Sequence, residues 1–254
     1  MSTSRPIVIT PYYKEDPAML RRCIASVHRQ TVPTEHMLVA DGHPQDWLES
    51  EPVRHLRLDR SHGDFGNTPR GVGSLLAAAE GFAPIIMLDA DNWLEPGHVE
   101  ACIRAAASAP GTDFVVATSQ FRRPDESIMP IPNLPTSDHV DTSCFAFFPG
   151  SYQMLAAWAL MPRQMSAVGD RIFWRALRAR GLSGVAITDP ATVNYHCLWE
   201  SLYRGLGETP PPGAKPNFDD PTPMYQWWYG LTAREREVIT RLVGLSLDDL
   251  SQTR

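Results

Sequence analysis

Short apolar runs alternate with helical patterns along the first half of the chain. The clearest runs begin at positions 6, 37, 85 and 114, and their β-branched and other apolar residues suit buried strands. The first helical pattern opens with Asp16 and Pro17 and places Leu20, Ile24 and Val27 on one face. Another covers residues 71–82. This alternation predicts an α/β fold with a mostly parallel central sheet flanked by helices.

The pattern is less regular in the second half. Residues 122–138 are rich in proline and predict a long loop or a distorted hairpin. Further on, Thr232 and Glu235 fit a capping box that opens a helix over residues 233–243. We therefore predict a main domain over 1–206, a Pro-rich linker or loop over 207–223 and a C-terminal helical extension over 224–254.

Composition and charge exclude several classes of protein. The hydrophobic fraction of 43% is enough for a packed core. The net charge of -6 argues against a broad nucleic-acid surface, which needs an excess of Lys and Arg, so we expect no nucleic-acid partner. The longest apolar runs fall far short of the ~20 residues of a membrane span, and no signal peptide is visible. A cytoplasmic protein with no transmembrane segment is the expectation.

The sharpest chemical signal follows the strand that begins near position 85. In an open parallel sheet, ligands bind beyond the carboxyl ends of the strands, and Asp89-Ala90-Asp91 stands at such an end. Two carboxylates two residues apart can share one hard divalent cation, Mn²⁺ or Mg²⁺. The tripeptide is also short and common, so Asp89 and Asp91 could instead cap a turn or the next helix.

Four segments in the same order and spacing resemble glycosyltransferase family 2, whose members have the GT-A fold. They are I-V-I-T-P-Y-Y (Ile7 to Tyr13), L-R-R-C-I-A-S-V-H-R-Q-T (Leu20 to Thr31), L-V-A-D-G-H (Leu38 to His43) and I-I-M-L-D-A-D-N-W-L-E-P (Ile85 to Pro96). The resemblance covers roughly the first 105 residues. It implies a GT-A type nucleotide-binding sandwich, with a donor half over about 1–120 and an acceptor half over about 121–206. The implied activity is transfer of a sugar from a nucleotide diphosphate sugar, UDP-linked in many members, to a hydroxyl acceptor with inversion.

The resemblance implies donor-binding roles for residues at the strand ends. They are Thr10, Pro11, Tyr12, Tyr13, Asp41, Arg70, Asp89 and Ala90. The two tyrosines would lie near the nucleoside, or simply cover the sheet end. Asp41 would face the base or ribose, although Ala40 stands where the family often has a first Asp. Arg70 suits a phosphate by its fork of donors, and the alternative is a solvated Arg in the first turn of a helix.

The resemblance also implies a metal site and a general base. Asp89 would face the ribose and the metal, Asp91 would hold the metal most directly, and His196 would be a third ligand, as in some GT-A enzymes. Asp170, in G-D-R-I-F-W, matches the family's E-D-x-x-F-W segment and would take the acceptor's proton. Asp170 could instead be a helix N-cap and His196 a structural side chain. Trp199 could stack on a sugar or belong to the core.

The sequence allows three other interpretations. A nucleotidyltransferase or another nucleotide-sugar enzyme would favour a Gly-rich loop after the first strand, where this chain has T-P-Y-Y-K. A non-catalytic relative could keep the fold and bind sugar or nucleotide alone. Leu231 to Leu250 resembles the beginning of a LuxR-type helix-turn-helix, and the likeness stops where a recognition helix would start, so an amphipathic helix is the preferred interpretation.

Two questions stay open in the sequence. The C-terminal helix either packs on the main domain or pairs with a second subunit as a homodimer. The acceptor is a polysaccharide or other glycan, a lipid-linked glycan, a small molecule or a protein. The sequence does not choose among them, because the acceptor site would be built from the irregular second half.

Overall fold

The computed structural model describes residues 5–133, 139–216 and 220–251. The strands in these ranges are β1 (Ile7–Tyr12), β2 (Glu35–Ala40), β3 (Arg54–Arg57), β4 (Ile85–Met87), β5 (Trp93–Leu94), β6 (Phe114–Val116), β7 (Ser119–Arg122), β8 (Ile128–Asn133), β9 (Phe145–Phe147), β10 (Gly184–Ala186) and β11 (Val193–His196). The helices are α1 (Pro17–His28), α2 (Asn67–Ala79), α3 (His98–Ser108), α4 (Ala156–Leu160), α5 (Gly169–Ala179), α6 (Glu200–Gly205), α7 (Thr222–Gly230), α8 (Ala233–Val243) and α9 (Leu247–Ser251). Short 3-10 segments cover Asp46–Ser50, Thr142–Cys144, Pro149–Met154 and Arg163–Val168.

The main sheet has seven strands in the order β10-β6-β9-β4-β1-β2-β3. β1 is an interior strand that pairs in parallel with β2 and β4, so that Ile7 faces Glu35 on one side and Ile85 on the other. The antiparallel member is β9, which lies between β4 and β6. The mostly parallel α/β sheet predicted from the sequence is therefore confirmed. The carboxyl ends of β1, β2 and β4 meet at one edge, which is where a ligand site is expected.

Helix α2 is held close to the sheet by two glycines. A Cβ on Gly73 would lie 2.9 Å from Ile9 Cγ2, and a Cβ on Gly71 would lie 2.5 Å from the Ala159 backbone nitrogen. The helix is thereby packed against β1 on one side and α4 on the other. This packing places the first turn of α2 at the carboxyl edge of the sheet.

The helix predicted over residues 71–82 begins four residues earlier, at Asn67. Asp64 Oδ2 accepts hydrogen bonds from Thr68 N at 2.9 Å and from Thr68 Oγ1 at 2.6 Å, which satisfies a backbone donor that a new helix leaves unpaired. The predicted start was wrong because Pro69 and Gly71 resemble the residues of a break, whereas Pro69 occupies the first turn, where a missing N–H costs nothing.

Of the two structures predicted for residues 122–138, the hairpin is the one observed. β7 and β8 pair antiparallel with an irregularity between Gln120 and Arg122. They belong to a second sheet with the order β5-β11-β7-β8. Residues 134–138 of the predicted segment lie outside the described residues.

The C-terminal helices pack on the same core as the main sheet. Trp228 and Leu247 are fully buried in it, and Trp228 Nε1 donates to Asp248 Oδ1 at 3.1 Å. The predicted capping box is present, with Glu235 N donating to Thr232 Oγ1 at 3.2 Å. α8 contacts α4 and α5. The predicted domain boundaries and the homodimer stay predictions. None of the described helices is long and apolar enough to cross a membrane.

Candidate active site

A cleft of about 780 Å³ opens at the carboxyl ends of β1, β2 and β4. It brings together nine of the predicted site residues: Pro11, Tyr12, Tyr13, Asp41, Arg70, Asp89, Ala90, Asp91 and Asp170. It also brings in side chains that the sequence did not single out for a role, among them Asp64, Phe65, Asp141, Ser166 and Lys215. The first and second halves of the chain thus contribute to one cavity.

Two predicted site residues do not line this cleft. Thr10 is fully buried, and its Oγ1 lies 2.8 Å from His36 Nε2 on the neighbouring strand. His196 is buried on β11, where its backbone N–H donates to Asn92 Oδ1 at 2.9 Å. Its Nδ1 has no hydrogen-bond partner within the described ranges. Burial lowers the pKa of His196, and the nearby charge of Arg22 lowers it further.

The two tyrosines at the carboxyl end of β1, Tyr12 within the strand and Tyr13 just after it, lie in different environments. Tyr12 is buried, its hydroxyl lies 2.7 Å from His55 Nε2, and Gln45 N donates to that hydroxyl at 3.0 Å. Burial raises the pKa of Tyr12. Tyr13 is exposed and meets His43 edge-on, with ring centroids 4.6 Å apart. Tyr12 therefore supports the wall of the cleft, while Tyr13 presents a ring at its mouth.

Asp41 ties the end of β2 to the loop before α2. Its carboxylate accepts from the backbone N–H of His62 at 2.9 Å, lies 2.7 Å from His62 Nδ1 and accepts from Ser61 Oγ at 3.3 Å. Gly42 follows with a φ of 75°, and a Cβ there would collide with the backbone of Ser61. The Asp41-Gly42 pair thus holds the loop over the edge of the sheet.

Arg70 is a buried cation at the floor of the cleft. Its Nη2 lies 2.6 Å from Asp89 Oδ1, its Nη1 donates to Asn67 Oδ1 at 3.1 Å, and the guanidinium lies over the Trp158 ring at 4.9 Å. The backbone N–H of Asp89 in turn donates to Ser143 Oγ at 3.1 Å. The solvated arginine that was the alternative is therefore not what the structure shows.

The cleft concentrates negative charge. Burial and the neighbouring charge of Asp89 raise the pKa of Asp91 to about 6, while Lys215 acts in the opposite direction. The same two causes raise the pKa of Asp141 to about 7. Carboxylates placed in this way favour a cation or a proton between them. Within the described residues, however, no group of three or more His, Cys, Asp and Glu side chains is arranged to hold a metal ion.

Lys215 reaches the cleft because its backbone is anchored to the turn before α6. Its N–H donates to Leu198 O at 2.7 Å, and its carbonyl accepts from Glu200 N at 3.0 Å. Lys215 thus forms an isolated parallel β-bridge with Trp199. The Trp199 side chain is held in turn, since its Nε1 donates to Tyr195 OH at 2.8 Å. The composition of residues 207–223 predicted a Pro-rich linker or loop. Nothing in the sequence therefore indicated that Lys215 lines the cleft.

Asp170 lies in the first turn of α5 and faces the cleft. Val168, and not Asp170, is the N-cap of that helix. Asp170 Oδ2 lies 2.7 Å from His139 Nε2, and Oδ1 accepts from Arg171 N at 2.7 Å. The hydrogen bond to Asp170 raises the pKa of His139. His139 is separated from Asp170 by 31 residues, and nothing in the sequence pattern connects the two.

The fold and the cleft define the class: a GT-A type sandwich, with carboxylates and a buried arginine at the carboxyl edge of a mostly parallel sheet. The sequence profile of glycosyl transferase family 2 matches residues 7–141, which is more than half of the chain. The chain therefore belongs to glycosyl transferase family 2. No curated protein matches it significantly.

Solved structures with the same fold include S. aureus TarS, with a TM-score of 0.55 and 12% identity over 79% of this chain and 38% of that one. The structure of S. aureus TarS 1–349 in complex with UDP gives a TM-score of 0.56 and 14% identity over 79% of this chain and 62% of that one. For its complex with UDP-GlcNAc the TM-score is 0.55 and the identity 14%, over 76% and 58% of the two chains. The chain thus spans between about two fifths and three fifths of these proteins. At such identities the likeness shows the fold.

Proposed function

We propose that this protein transfers a sugar from a UDP-linked donor to a hydroxyl acceptor with inversion at the anomeric carbon. The observation that carries the proposal is the single cleft that holds Arg70 paired with Asp89, the carboxylate of Asp91, and Asp170. Membership of glycosyl transferase family 2 supports the reaction type. The complexes of the structurally similar TarS 1–349 with UDP and UDP-GlcNAc support uridine as the base.

The donor half of the cleft suits a nucleoside diphosphate. Tyr13 offers an exposed ring at the mouth, where a base could stack. The buried Arg70 and the exposed Lys215 line the same cleft and are cations close to the carboxylates. A guanidinium held by Asn67 and Asp89 is already oriented, so little conformational entropy is lost when it donates to a phosphate.

The metal site is part of the proposal. Asp89 and Asp91 offer the hard oxygen ligands that Mn²⁺ and Mg²⁺ prefer, and the raised pKa of Asp91 indicates that its negative charge is only partly offset by the protein. A divalent cation, when bound, supplies positive charge against the departing diphosphate. His196 does not line the cleft, so we assign the ligands from the protein to the two aspartates alone.

Asp170 is the proposed general base. An acceptor hydroxyl is a weak nucleophile until its proton is removed, and Asp170 lines the same cleft as the donor-binding residues at the ends of β1 and β2. The contact with His139 holds the carboxylate in one orientation. Removal of the proton on the face opposite the leaving group is the geometry of a single in-line displacement, which inverts the anomeric carbon.

Calorimetry tests the donor half. UDP and GDP are titrated into the wild type with Mn²⁺ and with a chelator, and then into Asp91→Ala, with the exposed Asp59→Ala as the matched control. We expect UDP to bind with Mn²⁺, and to bind at least tenfold more weakly to Asp91→Ala or with the chelator. A folded protein that binds neither nucleotide would contradict the proposal and favour a non-catalytic relative.

The base is tested separately. Asp170→Asn should bind UDP like the wild type but lose most of its turnover, in the range of 10²–10⁴-fold typical of general-base removal. Turnover near the wild-type value in this variant would show that another group takes the proton.

A further inference from the structure

The loop between β3 and α2 presents an aromatic ring to the cleft on an unusual backbone. Phe65 has a φ of 57°, and Gly63 and Gly66 beside it have φ values of 61° and 81°. The Phe65 side chain is 75% exposed and lines the cleft. A bulky residue in the left-handed region is strained, and such strain persists only where the surroundings impose it, often at a ligand site.

Contacts at both ends of the loop hold the backbone around Phe65 in this conformation. At one end of the loop, Asp41 binds the backbone and the ring of His62. At the other end, Asp64 Oδ2 accepts from both the N–H and the hydroxyl of Thr68. The Arg163 guanidinium packs against Gly63, at 3.2 Å from where a Cβ would be. The backbone that carries Phe65 is therefore held in place, and the ring itself is exposed at the cleft.

Two other residues of the cleft lining each carry a buried polar side-chain atom. Asp64 Oδ1 and Ser166 Oγ have no hydrogen-bond partner in the described part of the chain, although their residues are only 4% and 5% exposed. Both residues line the cleft. Buried polar atoms are nearly always hydrogen-bonded in folded proteins, so each of these two has capacity for a further hydrogen bond, to a ligand or to water.

The loop lies between the proposed donor site and the proposed base. On one side, a Cβ at Gly66 would lie 3.2 Å from Pro11 and 3.6 Å from Arg70 Nη2. On the other side, a Cβ at Gly169, next to Asp170, would lie 2.9 Å from the Asn67 side chain. The loop is therefore close to Arg70, and the first turn of α2 that follows it is close to Gly169, the neighbour of Asp170.

We propose that Phe65, Asp64 and Ser166 form the acceptor subsite and that the acceptor is a carbohydrate. This inference rests on the proposed function and specifies its acceptor. A pyranose has an apolar C–H face that covers an aromatic ring and hydroxyls at its edge that pair with Asp64 Oδ1 and Ser166 Oγ. An alkyl chain would cover the ring but leave both polar atoms unpaired, which is costly.

Saturation-transfer NMR tests the subsite on the full chain saturated with UDP and Mn²⁺. The probes are the methyl glycosides of glucose, galactose, mannose and N-acetylglucosamine, with n-octanol as an apolar probe without a sugar ring. The variants are Phe65→Ala, Phe65→Trp and Ser166→Ala, with the exposed Tyr229→Ala as the matched control.

At least one glycoside should bind the wild type and Tyr229→Ala, and should bind Phe65→Ala and Ser166→Ala roughly tenfold more weakly. Phe65→Trp should restore binding. Thermal unfolding should be unchanged in Phe65→Ala, because the ring is exposed, and not lowered in Ser166→Ala, because the hydroxyl removed has no partner.

The outcomes separate the two proposals. Wild-type protein that fails to bind UDP overturns the proposed function and the subsite with it. Protein that binds UDP but gives no glycoside signal, or a signal that Phe65→Ala leaves unchanged, overturns the subsite alone. A response to n-octanol and to no glycoside, lost in Phe65→Ala, also overturns it and points to an apolar acceptor.

Discussion

Two side chains from distant parts of the chain meet at the proposed base. His139 Nε2 and Asp170 Oδ2 are 2.7 Å apart, and this contact raises the pKa of His139. The protonated imidazole is therefore favoured in the folded protein. Its contribution to stability is fully present below the ordinary histidine pKa of about 6.5 and is lost as the pH rises through the raised value.

Removal of the Asp170 charge should lower the pKa of His139. In Asp170→Asn the charge-assisted hydrogen bond is gone, while burial still disfavours the imidazolium. A histidine NMR titration of the wild type and the variant measures the change, with the exposed Asp220→Asn as the control. An unchanged His139 pKa in Asp170→Asn would show that the contact does not hold in solution.

Arg70 shows how one buried residue can serve both the fold and the site. Its guanidinium joins the first turn of α2 to the strand end at Asp89, and it also lines the cleft. A charged group this deeply buried persists only with good partners, which Asn67 and Asp89 supply. The same donors face the position that we assign to the diphosphate.

At the scale of elements, the site depends on how closely α2 approaches its neighbours. Gly73 lets the helix reach β1 and β2, and Gly71 lets it reach α4. A shift of α2 would displace Arg70 together with the loop that carries Phe65. Gly71 and Gly73 therefore help to set the positions of the cleft residues, because they allow α2 to pack closely on its neighbours.

Gly71→Ala should destabilise the protein by about 1–3 kcal/mol, because its Cβ would lie 2.5 Å from the backbone nitrogen of Ala159, which cannot move as a side chain can. Urea unfolding measures this loss. Gly205→Ala is the control, since no heavy atom lies within 4 Å of a Cβ there. It should be neutral or more stable by up to about 1 kcal/mol, the difference in helix propensity. Equal effects of the two substitutions would contradict the packing argument.

For the whole molecule, buried histidines control how stability changes with pH. Burial lowers the pKa of His36 to about 3 and that of His98 to about 4. Both are neutral in the folded protein at pH values where the unfolded chain, with a histidine pKa of about 6.5, already takes up protons. Their contribution is full above pH ~6.5 and is lost as the pH falls through the folded values. Asp91 and Asp141, with raised pKa values, act in the opposite direction.

A variant isolates the His98 contribution. His98→Asn should be less stable than the wild type at pH 7.5, because the contact with Thr192 and the packing are altered. Its deficit in free energy of unfolding should shrink by about 2 kcal/mol between pH 7.5 and pH 5, since only the wild type loses stability through His98. Urea unfolding at both pH values measures the difference. A deficit independent of pH would contradict the lowered pKa of His98.

The sequence by itself determined the features that depend on neighbouring residues. Two of these features are the apolar runs of β1 and β4 and the Asp16-Pro17 pair that opens α1. Each depends on adjacent residues only, so the sequence predicted the parallel sheet and the start of α1. The same holds for Asp89-Ala90-Asp91, which stands at a strand end whatever the rest of the chain does. The motifs that resemble the family lie mostly in this regular half.

Only the tertiary structure decided which of these residues share a cleft and what completes it. The antiparallel insertion of β9, the contact of His139 with Asp170 and the return of Lys215 beside Trp199 all join segments far apart in sequence. Thr10 and His196 do not line the cleft, because long-range packing places Thr10 against His36 of the neighbouring strand and joins the His196 backbone to Asn92. Their positions depend on pairing and packing over long distances, which no local pattern of apolar and polar residues encodes.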